Sequence, residues 1–358
     1  MKKIFEPLKL GNIQLSNKLV MAPMTRNRAT TEGCATALMA EYYAQRASAG
    51  LIISEGIQPS VVGQGFMNTP GLHTAEQTES WKQVTEAVHN AGGHIFAQVM
   101  HSGRIGHPSL YPSAHQSIAP SAIAAKGQTF TPNGLADYPV PREMTLEDIK
   151  DTVQDFVSAC KNAIAAGFDG VELHAGNGFL LHQFMADNTN KRSDEYGGSF
   201  ENRVRFVVEV VNAVVAAIGA EKTAIRISPE NPYNDMVETE AKTLYRTLID
   251  QLPTNLAYVH IMEAGNRGQS LAVRDAWRGT FILNPHKSPD DGFVKPDIAE
   301  AVLENNEADA VALGALFLAN PDLIERIKQG GPYNSMDEAT LYGGDHQGYT
   351  DYPTLSRK

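Results

Sequence analysis

Eight times along this chain a short apolar run, rich in Val, Ile and Leu, is followed by a segment with helical spacing. The runs are Leu19–Ala22, Leu51–Ser54, His94–Val99, Gly170–His174, Thr223–Ile227, Ala257–Ile261, Phe281–Leu283 and Ala310–Leu313. Runs this apolar do not suit half-exposed antiparallel strands. They need cover on both faces, which parallel strands crossed over by helices provide. The helical segments are read over 35–48, 75–90, 146–166, from Ser199 onward, 238–251, 271–277, 296–305 and 321–329. Thr145 is a good N-cap for the third, with Asp148 in its first turn, where acid suits the helix dipole. In the fourth, Val204, Val207, Val208, Val211, Val215 and Ile218 line one face. The alternation predicts an α/β fold, a closed (β/α)8 TIM barrel. Such barrels take about 250 residues, so the 358 residues are read as one domain, 1–358, with insertions. The turn signal Gly11-Asn12 predicts a β-hairpin capping the barrel bottom. A Pro/Ser/Gly-rich excursion after the third strand, Ser102–Arg142, reads as loop, and a loop that long usually has a task.

The formal net charge of −11 argues against a nucleic-acid partner, which needs a basic face, and against docking on an anionic membrane. Two cysteines, Cys34 and Cys160, have no ligand-like spacing; they fit a reducing compartment and no disulfide framework. No apolar run follows Lys2 and Lys3, so no signal peptide is read. The most apolar helical stretch is broken by Arg205, Glu209 and Asn212, so no span is read either. The expectation is a cytoplasmic protein, monomeric or a small homo-oligomer, acting on a small molecule, with no metal site.

In such barrels chemistry sits at the C-terminal strand ends. Those ends carry Pro23-Met24-Thr25, Glu55-Gly56, Gln98, His174, Arg226, Asn284 and Gly314-Ala315. Asn177 follows His174 in a glycine-rich turn, and the two side chains together can donate hydrogen bonds to one substrate oxygen. The set suits an isoalloxazine ring. Gln98 offers an amide to the pyrimidine edge, Arg226 offers positive charge where reduction leaves negative charge, and the Thr25 hydroxyl can reach the opposite side. Neither a dinucleotide-binding glycine fingerprint nor a P-loop is present. No strand-end Lys is available for a Schiff base.

Several long stretches then carry a resemblance. They include Met21-Ala22-Pro23-Met24-Thr25-Arg26, residues 40–55, Ala166-Gly167-Phe168-Asp169-Gly170-Val171-Glu172-Leu173-His174, residues 192–203, Ala319-Asn320-Pro321-Asp322-Leu323 and Gly348-Tyr349-Thr350-Asp351-Tyr352-Pro353. Over essentially its whole length the chain resembles the Old Yellow Enzyme family of FMN-dependent ene-reductases. Thr25 is similar to one branch; the thermophilic-like branch tends to carry Cys there. The resemblance implies a ping-pong cycle in which NADH or NADPH reduces FMN and an activated alkene then enters the same pocket. It implies substrate-oxygen binding by His174 and Asn177, and FMN contacts from Pro23, Met24, Thr25, Gly56, Gln98, Arg226, Asn284, Gly314 and Ala315.

Four positions depart from that pattern. Phe179 stands where the family usually has the Tyr that protonates the α-carbon; either solvent or another group, with Tyr342 a candidate, supplies the proton, or saturation is slow. Phe66 replaces a common pocket Tyr, and Met100 replaces a Trp. Ala315 stands where an Arg usually grips the FMN phosphate, leaving the backbone N–H groups of the next helix to bind it. Alongside alkene reduction, two alternatives therefore stay open. One is flavin-dependent isomerisation, dehydrogenation or nitro reduction on a specialised substrate; the other is a flavin-binding barrel with little catalysis.

Overall fold

The computed structural model describes residues 2–111, 115–287 and 294–355. Eight parallel strands close into a barrel in sequence order: Leu19–Met21, Leu51–Ile57, Ile95–Val99, Gly170–Ala175, Thr223–Ile227, Val259–Met262, Phe281–Asn284 and Ala310–Leu313. The eighth pairs back onto the first, with Leu313 opposite Met21. This is the expected barrel. The antiparallel hairpin Leu8–Leu10 and Ile13–Leu15 accompanies it, and its Leu10 and Leu15 belong to the same apolar cluster as the barrel interior.

Strand periodicity divides each strand between two environments. Val171, Leu173, Ala175, Ile225, Ile227, Val259 and Ile261 face outward into the shell packed by the helices. The inward line starts as an apolar floor of Val20, Leu51, Ile53, Phe96, Ala224, Ile282, Ala310 and Ala312. Above that floor the inward positions turn polar: Gln98, Glu172 and His174, Arg226 and His260, Asn284, all 5% exposed or less. Buried polar groups at that height need partners, so this is where the fold commits itself to a site.

The helices start where their caps predict. Thr145 accepts from the Asp148 N–H while Asp148 returns a bond to the Thr145 N–H, opening Leu146–Ala165. Ser199 caps Phe200–Ile218. That helix buries a wider face than expected: Phe206, Val210 and Val214 join Val204, Val207 and Val211, while Val208, Val215 and Ile218 are only half-buried. It packs against the helices Leu146–Ala165 and Ala241–Gln251 on its two sides, so a single stripe does not suffice.

Other boundaries shift for local reasons. The second strand runs on to Ile57 through an irregularity between Ile53 and Gly56, so Gly56 lies inside the strand. The segment near 271–277 is a helix from Arg267, capped by Asn266. The last helical segment, read over 321–329, is the helix Leu323–Gln329, and a short additional helix, Ala315–Ala319, precedes it directly after the eighth strand. A further helix, Leu180–Met185, follows the fourth strand. The excursion after the third strand is not all loop. It holds a hairpin, Gln128–Thr131 with Gly134–Asp137, and a two-residue ladder joining Ile118–Ala119 to Arg142–Glu143. Pro132 and Asn133 connect the hairpin strands, and Gly134, paired with Thr131, takes the positive φ of 101° that the turn requires.

Candidate active site

The site grows from the fourth strand. His174 is its penultimate residue, 2% exposed, with Nδ1 buried and without a hydrogen-bond partner among the described residues. Burial first, then the Arg226 guanidinium, hold its pKa well below the ordinary imidazole value. The ring is therefore neutral at pH 7 and offers one N–H. Phe179 packs beside it with ring centroids 5.2 Å apart. Between them Asn177 takes a left-handed φ of 53° and remains half-buried. Its N–H donates to Ser228 Oγ at 2.6 Å and its carbonyl accepts from Asn234 Nδ2 at 2.8 Å. Gly178 then turns with φ +75°, and a Cβ there would lie 2.6 Å from that of Asn234. The turn is thus clamped by the loop after the fifth strand.

One layer down, Glu172 is completely buried. It accepts from Gln98 Nε2 at 2.8 Å and pairs with His260 Nδ1 at 2.8 Å. Burial opposes its charge, but His260, Arg226 and Gln98 outweigh that, and the carboxyl stays below its ordinary range. Arg226 donates to Asn284 Oδ1 at 3.1 Å, and Asn284 donates on to the Ala312 carbonyl at 3.0 Å. The Arg226 Nε is buried without a hydrogen-bond partner among the described residues. Gln98, Arg226 and Asn284 are thereby joined to one interior network spanning the third to eighth strands.

The rim is less buried. Pro23, Met24, Thr25, Gly314 and Ala315 are half-buried, and Met24, Thr25, Ala315 and Tyr342 line one cavity. Tyr342 is 70% exposed there. Its segment is tied down by two buried arginines. Arg26 donates to the carbonyls of Leu341 and Gly348 at 2.8 Å, and Arg28 donates to those of Asp345 and Thr340 at 2.9 and 3.1 Å. Beside His174 lies an apolar pocket wall, where Phe66 and Tyr138 pack on Met100, Ile105, Ala125 and Phe179. Gly56 belongs to it as well, because a Cβ there would meet the Met100 sulfur at 2.9 Å.

These residues fit a flat heteroaromatic ring. The unpartnered Arg226 Nε and His174 Nδ1, and the Gln98 amide held by Glu172, supply what its polar edge and upper face require. The phosphate end is poorer. Ala315 has no charge, and Arg26 and Arg28 are already committed to backbone carbonyls. The first N–H groups of Ala315–Ala319 have no acceptor within that helix and are the donors left for a phosphate.

The sequence reading missed Glu172, His260, Arg26, Arg28 and Tyr138 as parts of this constellation. A signal existed for Glu172: it alternates with Val171 and Leu173 in a buried strand, so it must point inward. Among the described residues no group of three or more His, Cys, Asp or Glu is placed to hold a metal, and no helix is long and apolar enough to cross a membrane.

Comparison with known proteins gives consistent matches. The model of the NADH:flavin oxidoreductase / NADH oxidase family matches residues 3–334. A probable flavin mononucleotide-dependent alkene reductase of Leishmania infantum is 41% identical over 362 residues, covering 98% of this chain and 97% of the relative. Morphinone reductase solved in complex with tetrahydroNAD superposes with a TM-score of 0.92 at 40% identity, over 99% of this chain and 98% of that one. An old yellow enzyme homologue from Zymomonas mobilis gives a TM-score of 0.92 at 38% identity, over 99% and 100% of the two chains.

Proposed function

Because the chain belongs to the NADH:flavin oxidoreductase / NADH oxidase family, with Old Yellow Enzyme homologues among its relatives, we propose that it reduces the C=C bond of activated alkenes with FMN and NADH or NADPH. Substrates of this class are α,β-unsaturated carbonyl and nitro compounds. The observation that carries the reading is the buried, neutral His174 near the end of the fourth strand, with Asn177 in the clamped turn that follows and Gln98 and Arg226 on the two neighbouring strands. When bound, FMN supplies the hydride chemistry. Gln98, Arg226 and Asn284 would hold the ring's polar edge, and Pro23, Met24, Thr25, Gly56, Gly314 and Ala315 would complete its site. His174 and Asn177 bind the substrate oxygen and stabilise the negative charge that develops on it. Phe66, Met100 and Phe179 make an apolar wall for the carbon skeleton. Phe179 has no proton to give, so the α-carbon takes its proton from solvent or from Tyr342 at the rim. We further propose a single 1–358 domain, in the cytoplasm, as a monomer or small homo-oligomer, with no nucleic-acid partner.

Anaerobic NADPH- or NADH-dependent loss of 2-cyclohexenone, maleimide or a nitroalkene tests this. Turnover of at least one is expected, and none with flavin bound refutes it. The buried Phe179, which puts a phenyl ring where a proton donor would stand, supports a second reading, flavin-dependent isomerisation, dehydrogenation or nitro reduction in which α-carbon protonation is not required. Product analysis separates the two.

A further inference from the structure

We infer that Asn231 is a positioning residue that fixes which end of the Asn177 amide faces the substrate. The inference rests on the reading of His174 and Asn177 as the oxygen-binding pair. An asparagine amide has an acceptor end and a donor end of the same shape, and only the donor end can hold an oxyanion. Something in the protein must decide between them.

The decision is traceable to a backbone group whose chemistry is not ambiguous. The Tyr233 N–H can only donate, and it donates to Asn231 Oδ1 at 3.0 Å. The other end of the Asn231 amide is then Nδ2, which can only donate. It lies 3.0 Å from Asn177 Oδ1 and makes that atom the acceptor. The Asn177 Nδ2 is left for the pocket, and no acceptor among the described residues takes its hydrogens. The Asn177 backbone is already held on both sides by Ser228 and Asn234, so a turn of the side-chain amide is the freedom that remains. Asn231 is 7% exposed, so water competes weakly for this bond.

The loop carrying these three residues is itself anchored. The buried Arg104 donates to the carbonyls of Asn234 and Asp235 at 3.1 and 2.7 Å. The Glu230 N–H donates to Glu238 Oε2 at 2.6 Å, and Glu238 also pairs with the buried His182 at 2.9 Å. His182 in turn accepts from the Gly178 N–H at 2.9 Å, which closes the circuit back to the Asn177 turn. Ser228, Asn231 and Asn234 therefore act as one template, and only Asn231 reads the polarity of the side chain.

The test is a double-mutant cycle. Asn231→Asp still accepts from the Tyr233 N–H but presents an acceptor to Asn177, whose amide then turns its oxygen toward the pocket. The probe is 4-nitrophenolate, a stable mimic of an enolate oxygen, titrated by absorption difference into the flavin-loaded protein at pH 8. Asn231→Asp is expected to weaken binding about 10- to 100-fold, the range of one hydrogen bond to a charged group. In an Asn177→Ala background the same change is expected to cost less than about threefold, because only the added charge remains. Asn231→Ala, which frees the amide without reversing it, falls between. Thermal midpoint and flavin content of each variant control for folding. Equal losses in both backgrounds, no loss in either, or a native protein that does not bind the phenolate overturn the inference. The two readings fail separately: a native protein that binds phenolate with this coupling but reduces no alkene loses the proposed function and keeps the inference. Alkene turnover without coupling does the reverse.

Discussion

Replacing Glu172 by Ala removes a carboxylate buried beneath the site. It is fully buried, accepts one bond from Gln98 and one from His260, both at 2.8 Å, and is the anion that faces Arg226. Each bond to a charged group contributes about 1.5–3 kcal/mol, but these bonds and the ion pairing are one interaction and must not be added. Breaking a buried pair on one side costs about 3–5 kcal/mol, because the partner charge is left uncompensated. Among the described residues Arg226 would keep the hydrogen bond to Asn284, a neutral partner. With an unfolding entropy of about 2.1 cal/mol/K per residue, the 358-residue chain then loses roughly 4–7 °C in thermal midpoint. Scanning calorimetry at pH 7 with excess FMN measures it. The pH dependence has a fixed sign. The folded carboxyl titrates below its ordinary 4.5, so its stabilisation is present above that value and fades as pH falls through the folded pKa. The gap between native and Glu172→Ala proteins therefore narrows in acid. A midpoint within 1 °C of native at pH 7, on the order of the scatter between sites that carry no charge, or a gap that stays constant into acid, refutes the reasoning.

Phe179→Tyr restores a phenol beside His174. If protonation limits saturation, anaerobic reoxidation of reduced enzyme by 2-cyclohexenone speeds up by about 10²–10⁴, and an unchanged rate points to another donor already at work. Ala315→Arg adds a cation at the start of the short helix after the eighth strand. FMN affinity by fluorescence quenching is expected to rise roughly 10- to 100-fold, with riboflavin affinity unchanged; a parallel rise in both sinks the phosphate assignment. Glu55 is buried and its pKa is pushed up to about 7, burial being the main cause. The folded state then holds a proton that the unfolded chain releases from 4.5 upward, so stability falls as pH rises through 4.5–7, by up to about 3 kcal/mol, and is flat above. Glu55→Gln flattens that dependence in urea melts at pH 5 and 8, and an unchanged slope excludes Glu55 as its source.

The barrel was legible because burial on both faces leaves a strand no polar alternative. Thr223–Ile227 and Ala310–Leu313 begin and end where the apolar run does. The strand-end residues Gln98, His174, Arg226 and Asn284 were legible for a related reason: in a closed parallel barrel every strand's C-terminal end opens on the same mouth. The excursion hairpin and the helix Leu180–Met185 were less so, since short elements draw their stability from packing rather than from propensity.

From residue order alone, then, came the barrel, the side of it that works, and the residue types gathered there. Tertiary structure alone decided their pairings. Glu172 meets Gln98 and His260 across 74 and 88 residues, Asn231 meets Asn177 across 54, and Arg26 reaches Gly348 across 322. Local periodicity says which way a side chain points, but closure of the barrel sets what stands opposite it. Hydrogen bonds act over about 3 Å, so the orientation of an amide or the charge of a buried carboxyl has no expression until those distant segments are in contact.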